Sequence, residues 1–382
     1  MVIDSDRIVS IEWACLTGER PRHAGANARL GPHGKTVRVP LARLTAESGA
    51  IGFGWSRADR ETGEALLGRT LGEVFNAETG VPDRWRAFDI PLWDLAAKAA
   101  NKPVYSLAAA VAGKPVPDAN RTPAYDTSLY FDDLHLTNDQ DAADFMASEA
   151  RDGYAAGHRA FKIKVGRGGL HMDVDAGMRR DIAVVETIRL AVGRDAPLLV
   201  DANNGWNLNL TRQFLKATVH TGIYWVEEPF HEDAELYHHL KEWMKSEGLM
   251  TLVSDGEGDA SPQLLRWARE GLIDVVQYDI FGYGFSRWLA LGRELDEWGV
   301  RSAPHHYGAH LGNYITCHLA PAIERFTFVE WDEVITPGID GTQYKIDNGF
   351  VIAPNAPGFG LLLDDDRFRD AVSNGGWALQ AK

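Results

Sequence analysis

Three short runs near the middle of the chain break off in acid: Leu198-Leu199-Val200-Asp201, Tyr224-Trp225-Val226-Glu227, and Leu252-Val253-Ser254-Asp255-Gly256-Glu257. A strand buried on both faces of a parallel sheet reads as such an apolar run, and an abrupt polar end marks its functional edge. The pattern extends both ways. Upstream, residues 160–165 (AFKIKV) alternate and stop at Gly166. Downstream, 274–279 end in Asp279, 300–305 in His305 and 326–330 in Glu330. Most of these ends recur about 22–30 residues apart, the length of one strand, one helix and two loops. A repeat of that kind predicts a (β/α) barrel with its site residues at the carboxyl ends of the strands.

The flanks differ in style. Residues 1–122 hold strand-like stretches at 8–13, 35–40 and 49–55, then a helical region over 85–100 interrupted at Lys102-Pro103. Between the first two strands, 18–34 is rich in Arg, His, Gly and Pro and reads as a mobile loop. An α+β unit is expected over 1–122, completed by a turn-rich tail from about 338 to 382, around a barrel at 123–337 that opens on a strand at 122–130. Helices are expected near 181–191, 209–221, 234–247, 262–270, 285–298 and 311–324. The net charge of −15 disfavours nucleic acid and anionic membrane as partners. Two cysteines in no metal-like spacing, no signal-peptide pattern and no apolar run near ~18 residues lead to the expectation of a reduced, cytoplasmic protein.

Neighbouring strands lie about 4.8 Å apart, so Asp201, Glu227 and Glu257 would sit side by side. Three adjacent carboxylates repel unless a cation neutralises them, and an all-oxygen set suits Mg²⁺. Glu228 and Asp255 compete as ligands. Lys162 and Lys164, two apart, share one face. Two close ammonium groups near Mg²⁺ are expected to lower one lysine toward a useful base. Asp279 can hold His305 in one tautomer, with His306 a competitor for the same role.

These residues resemble the enolase superfamily in its mandelate racemase-like branch. The resemblance spans nearly the whole chain. It is carried by Pro91-Leu92-Trp93-Asp94, Lys162-Ile163-Lys164, Asp201-Ala202-Asn203, Glu227-Glu228-Pro229, Gly256-Glu257, Asp279, Pro304-His305, Glu330 and Asn355-Ala356-Pro357-Gly358. It implies an α+β capping domain on a modified (β/α)₇β barrel and Mg²⁺ on Asp201, Glu227 and Glu257. It also implies Lys164 opposed to a His305–Asp279 dyad, Lys162 beside the substrate carboxylate, and Glu330 hydrogen-bonded to an enediolate. The double histidine and the long 166–180 interval depart from the family pattern.

The implied chemistry is abstraction of a proton α to a carboxylate. A β-hydroxyl then leaves as water to give a 2-keto-3-deoxy acid. Arg20, Arg22, His23 and Arg29 in the first loop, with Asn203 and Asn204 beside the metal, favour a sugar acid as substrate. His306 is a further candidate contact. A racemase or epimerase of a hydroxy acid is the alternative, followed by a silent sugar-acid-binding relative. A homo-oligomer is expected.

Overall fold

The computed structural model describes residues 5–258 and 260–381. Three antiparallel strands found the N-terminal unit: β1 (Ile8–Ala24), β2 (Gly34–Ala46) and β3 (Ile51–Trp55). The C-terminal strand Trp377–Gln380 pairs with the other edge of β1. β1 is longer than its composition suggests. Its pairing with β2 runs on through Gly18 and Glu19 and resumes at Ala24 beyond an irregularity. Long-range contacts hold it extended. Glu19 exchanges backbone hydrogen bonds of 2.8 and 2.9 Å with Ile335, and the Arg20 guanidinium grips Asp332 through two bonds of 3.2 and 2.9 Å. Tertiary pairing overrides local propensity here, and the loop expected at 18–34 shrinks to 25–33.

The glycines of β3 serve an approach. Helix Asp89–Ala99 crosses so closely that a Cβ at Gly52 would stand 2.5 Å from the Leu95 backbone nitrogen. From that helix Asp94 accepts the Phe53 and Phe359 N–H groups, both at 2.9 Å, and so ties the tail to the N-terminal sheet.

Eight parallel strands follow: β4 (Arg121–Leu129), β5 (Phe161–Lys164), β6 (Leu198–Asp201), β7 (Ile223–Glu227), β8 (Leu252–Asp255), β9 (Val275–Val276), β10 (Arg301–Ser302) and β11 (Val329–Trp331). Neighbours pair in order from β4 to β10, and β11 pairs with β4. A Ser302–Phe326 bridge closes the ring. Helices Asp139–Ala155, Val174–Val192, Leu208–Ala217, Ala234–Ser246, Leu264–Arg269, Phe285–Trp298 and Gly312–Leu319 lie between successive strands. The long interval before Asp201 is mostly helix: Asp173 caps it by accepting the Asp175 N–H at 3.1 Å, so it starts earlier than the expected 181.

The strand pleat sorts side chains into two cores. Phe161, Ile163, Leu198, Val200, Val226, Val253 and Val276 face the helices, while Tyr125, Leu199, Trp225, Val275, Ala303 and Phe328 fill the barrel. Above this inner apolar layer the inward positions turn polar, so the barrel mouth is charged but sealed from below. Among the described residues no helix is long and apolar enough to cross a membrane.

Helix Gly312–Leu319 carries a fully buried histidine, His318. Its Nδ1 accepts the Tyr105 N–H at 3.0 Å, so Nε2 carries the hydrogen toward Tyr344 Oη at 2.7 Å. Burial pulls this imidazole down from 6.5 to about 3. The unfolded chain therefore binds the proton first. The stabilisation is complete above about pH 6.5 and is lost progressively as pH falls toward 3, by on the order of 4 kcal/mol. His318→Gln should lower the melting temperature at pH 7.5 yet flatten its decline between pH 6.5 and 4, read by circular dichroism.

Candidate active site

Register builds the site. Lys164 is paired with Asp201 and Asp201 with Glu227, so all three project inward at one level of the barrel. Ser254, opposite Glu227, is the inward residue of β8. Asp255 therefore faces outward and accepts the Tyr237 hydroxyl from helix Ala234–Ser246, which removes it as a rival ligand. Glu257 returns to the mouth only through Gly256, whose φ of 121° disfavours any side chain. The same left-handed turn recurs at the preceding ends: Gly166 (φ 92°), Asn203 (φ 42°) and Glu228 (φ 40°). For Asn203 and Glu228 it stores local strain beside the carboxylates, a feature concentrated at functional sites.

One ligand atom from each of Asp201, Glu227 and Glu257 lies within 4.8 Å of the others. Lys162 Nζ is 2.9 Å from Glu227 Oε1, 2.9 Å from Glu330 Oε1 and 3.7 Å from Asp201 Oδ2. Lys164 Nζ bonds Asp201 Oδ2. Trp225 Nε1 and Gln277 Nε2 donate to the other Glu227 oxygen at 3.0 and 3.1 Å. Asn203 Nδ2 bridges Glu228 and Glu257, 3.2 Å from each.

Negative charge is in surplus. Burial and the neighbouring Asp201 push Glu227 up to about 8. Burial, Glu257 and Asp201 push Glu228 up to about 10. The expected lowering of a lysine presupposes Mg²⁺ nearby; with the carboxylates uncompensated, neither lysine is lowered. Burial favours the neutral amine, but Asp201, Glu257 and Glu227 together outweigh it for Lys164, and Glu227, Glu330 and Asp201 together outweigh it for Lys162, so both stand above their ordinary value.

The histidine pair divides cleanly. His305 Nε2 lies 3.3 Å from Glu257 Oε2, and its Nδ1 faces Asp279 Oδ2 at 3.4 Å. Burial lowers the imidazole, but Glu257, Glu330 and Asp279 prevail and raise it to about 9. Asp279 is fixed in turn by accepting the Phe281 and Gly282 N–H groups at 3.0 and 2.6 Å. His306 is buried, its Nε2 lying 2.5 Å from the Glu330 carbonyl, and burial pulls it down. It packs against Gly312 and does not reach the cavity, so neither the role of His305 nor a substrate contact falls to it. Glu330 accepts from Thr127 at 2.8 Å and from the His306 and Tyr307 N–H groups at 2.8 and 2.9 Å. Burial raises this carboxyl, but Lys162 and His305 hold it well below its ordinary range. It anchors Lys162 and the 305–307 turn. As an ionised group with both oxygens engaged, it has no proton to give an enediolate.

A cavity of about 330 Å³ opens over this layer, with Lys164, Glu257 and His305 in its walls. The N-terminal unit roofs it with Arg20, Asn27, Leu30, His33 and Arg38. Two expected contacts lie elsewhere. Arg22 turns the other way, bonding Ser128 Oγ at 2.7 Å and pairing with Glu149, and it lines a separate cavity. His23 is exposed. Arg20 and Arg22, two apart, share one face of β1, but they are drawn to different acids, Arg20 to Asp332 and Arg22 to Glu149. Arg29 and Asn204 border a pocket on the far side of Glu257. His33 and Tyr307, missed in the sequence, do face the cavity; Tyr307 stands two residues beyond His305, a period-two signal. The 166–180 segment supports the roof, His171 Nε2 lying 2.7 Å from the Asn27 carbonyl.

The donor set fits Mg²⁺. Three clustered carboxylates supply hard oxygen ligands, and Asn203 Oδ1 and Glu257 Oε2 are buried without a hydrogen bond. Asp201→Asn, Glu227→Gln and Glu257→Gln should each weaken Mg²⁺ binding by at least about 100-fold in calorimetric titration, whereas Asp255→Asn should stay within about threefold.

The model of the family described as Enolase C-terminal domain-like matches residues 145–367. The chain is similar to galacturonate dehydratase from a Geobacillus species, solved with D-galacturonate and 5-keto-4-deoxy-D-galacturonate. The identity is 44%, the TM-score 0.93, and the match covers 98% of this chain and 99% of that one. It is also similar to a mandelate racemase/muconate lactonizing protein from Geobacillus sp. Y412MC10 with magnesium and tartrate (44% identity, TM-score 0.96, covering 99% and 98%). Arabinonate dehydratase of Saccharolobus solfataricus is 24% identical over 74% of this chain and 70% of its own length. The chain belongs to the enolase superfamily, in its mandelate racemase-like branch.

Proposed function

We propose that the chain is a Mg²⁺-dependent hydro-lyase that dehydrates a sugar acid, with a hexuronate of the galacturonate type as its substrate. One observation carries the reading: Lys164, at the end of β5, and His305, in the loop after β10, approach a single cavity over a triad of carboxylates suited to Mg²⁺. The whole-chain likeness to a galacturonate dehydratase supports the substrate class.

When bound, Mg²⁺ on Asp201, Glu227 and Glu257 supplies Lewis-acid charge that stabilises an enediolate. Lys162, held by Glu227 and Glu330, adds fixed positive charge below the cavity floor. One of Lys164 and His305 takes the proton α to the substrate carboxylate. The other delivers a proton to the β-hydroxyl. The electron pair of the broken C–H bond becomes a C=C bond as the C–O bond breaks and water departs, and the enol tautomerises to the 2-keto-3-deoxy acid. Asp279 fixes the His305 ring by facing Nδ1, which leaves Nε2 turned toward the site. The substrate's stereochemistry decides which group is base and which is acid.

With Mg²⁺ and D-galacturonate, the protein should form a keto acid that semicarbazide traps. Lys164→Ala and His305→Ala should each lower kcat by about 1000-fold or more. Solvent deuterium entering the α-carbon with no keto product from any sugar acid would mark a racemase or epimerase instead.

A further inference from the structure

The roof of the cavity holds polar atoms that the fold leaves unsatisfied. His33 Nε2 and the Tyr307 hydroxyl are both buried and have no hydrogen-bond partner. Both residues line the same cavity as Lys164 and His305. They form one rigid aromatic group: His33 meets Tyr130 and Tyr307 edge-on at 4.9 and 5.6 Å, while the two tyrosines stack at 4.7 Å and 25°.

We infer that His33 and Tyr307 form the specificity-determining subsite for the end of the sugar acid remote from its carboxylate, and that this subsite reads neutral hydroxyls rather than a second charge. The inference rests on the dehydratase reading above and deepens it. The carboxylate end belongs beside the triad, so the chain of hydroxyls extends toward the roof. The nearest roof cation is already spent, since Arg20 is paired with Asp332 and lies 4.5 Å over the Tyr307 ring. Burial beside Lys164 and Arg20 pulls the His33 imidazole down to about 4, so it meets a ligand as a neutral group. Arg38 is the other cation at the rim, and it is exposed. A second carboxylate would have to reach past the aromatic group to find it. Buried groups left unpaired in the free protein reject analogues that lack the matching hydroxyl, which is how such a site discriminates.

The test compares kcat/KM for D-galacturonate, the diacid galactarate and the four-carbon acid threonate. The last carries reacting carbons without the remote hydroxyls. The unaltered protein should prefer D-galacturonate. His33→Ala and Tyr307→Phe should each cut kcat/KM on D-galacturonate by about 10- to 100-fold, mainly through KM, and change it on threonate by less than about threefold. Tyr307→Phe removes only a hydroxyl, and unchanged Mg²⁺ affinity would show that either variant keeps its site. Equal losses on both acids, or no loss, would overturn the subsite. So would a preference for galactarate that Arg38→Ala abolishes, since that places a second carboxylate on Arg38. Activity with unchanged selectivity refutes the subsite alone. An unaltered protein inactive on every sugar acid refutes the dehydratase reading and the subsite together.

Discussion

The site depends on a surplus of buried negative charge. Asp201, Glu227, Glu228, Glu257 and Glu330 crowd one end of the barrel, and Lys162, Lys164 and His305 are the cations set against them. A buried carboxylate without a partner costs several kcal/mol, so such a cluster persists only when something neutralises it. The strain appears where acid faces acid: Glu227 and Glu228, beside Asp201 and Glu257, are driven far above the ordinary carboxylate range, whereas Glu330, set against Lys162, His305 and the His306 N–H, is held far below it. A divalent ion on the triad resolves the imbalance. It would also loosen the hold of Asp201 on Lys164, freeing that amine for proton transfer.

The rest of the architecture serves this layer. Below it, Trp225, Tyr125 and Phe328 pack edge to face and close the barrel to water, and Trp225 also donates to Glu227. A low-dielectric floor strengthens every charge above it. At the side, Arg167 is fully buried between Asp133 and Asp181, at 2.7 and 2.6 Å, and locks the turn that follows Lys164. Above, the Arg20–Asp332 pair pins the long hairpin of the N-terminal unit to the last barrel strand. Positioning is thus built from ion pairs and aromatic contacts whose partners are remote in sequence.

That remoteness sets what the sequence could reveal. Barrel strands were legible because a buried parallel strand leaves an apolar run, and because one β/α unit fixes the interval to the next. The inward face of Lys162, Lys164, Asp201 and Glu227 followed from the two-residue pleat. Glu257 was legible only as one of two acids; the Asp255–Tyr237 bond that decides between them spans a helix. The extent of β1 was not legible, since Ile335 and Asp332 hold it from the far end of the barrel. Arg22 and His23 were misplaced for the same reason. Both lysines stand above their ordinary value because Asp201, Glu227, Glu257 and Glu330 surround them; the expected lowering belongs to the site with Mg²⁺ in place.

Whether this acidic layer holds a metal is read most directly by anomalous diffraction from crystals grown with Mn²⁺. The expected result is one strong peak at about 2.0–2.2 Å from an oxygen of each of Asp201, Glu227 and Glu257, with Lys164 Nζ released from Asp201. A peak that engages none of these three residues, or no peak at saturating Mn²⁺, would contradict it.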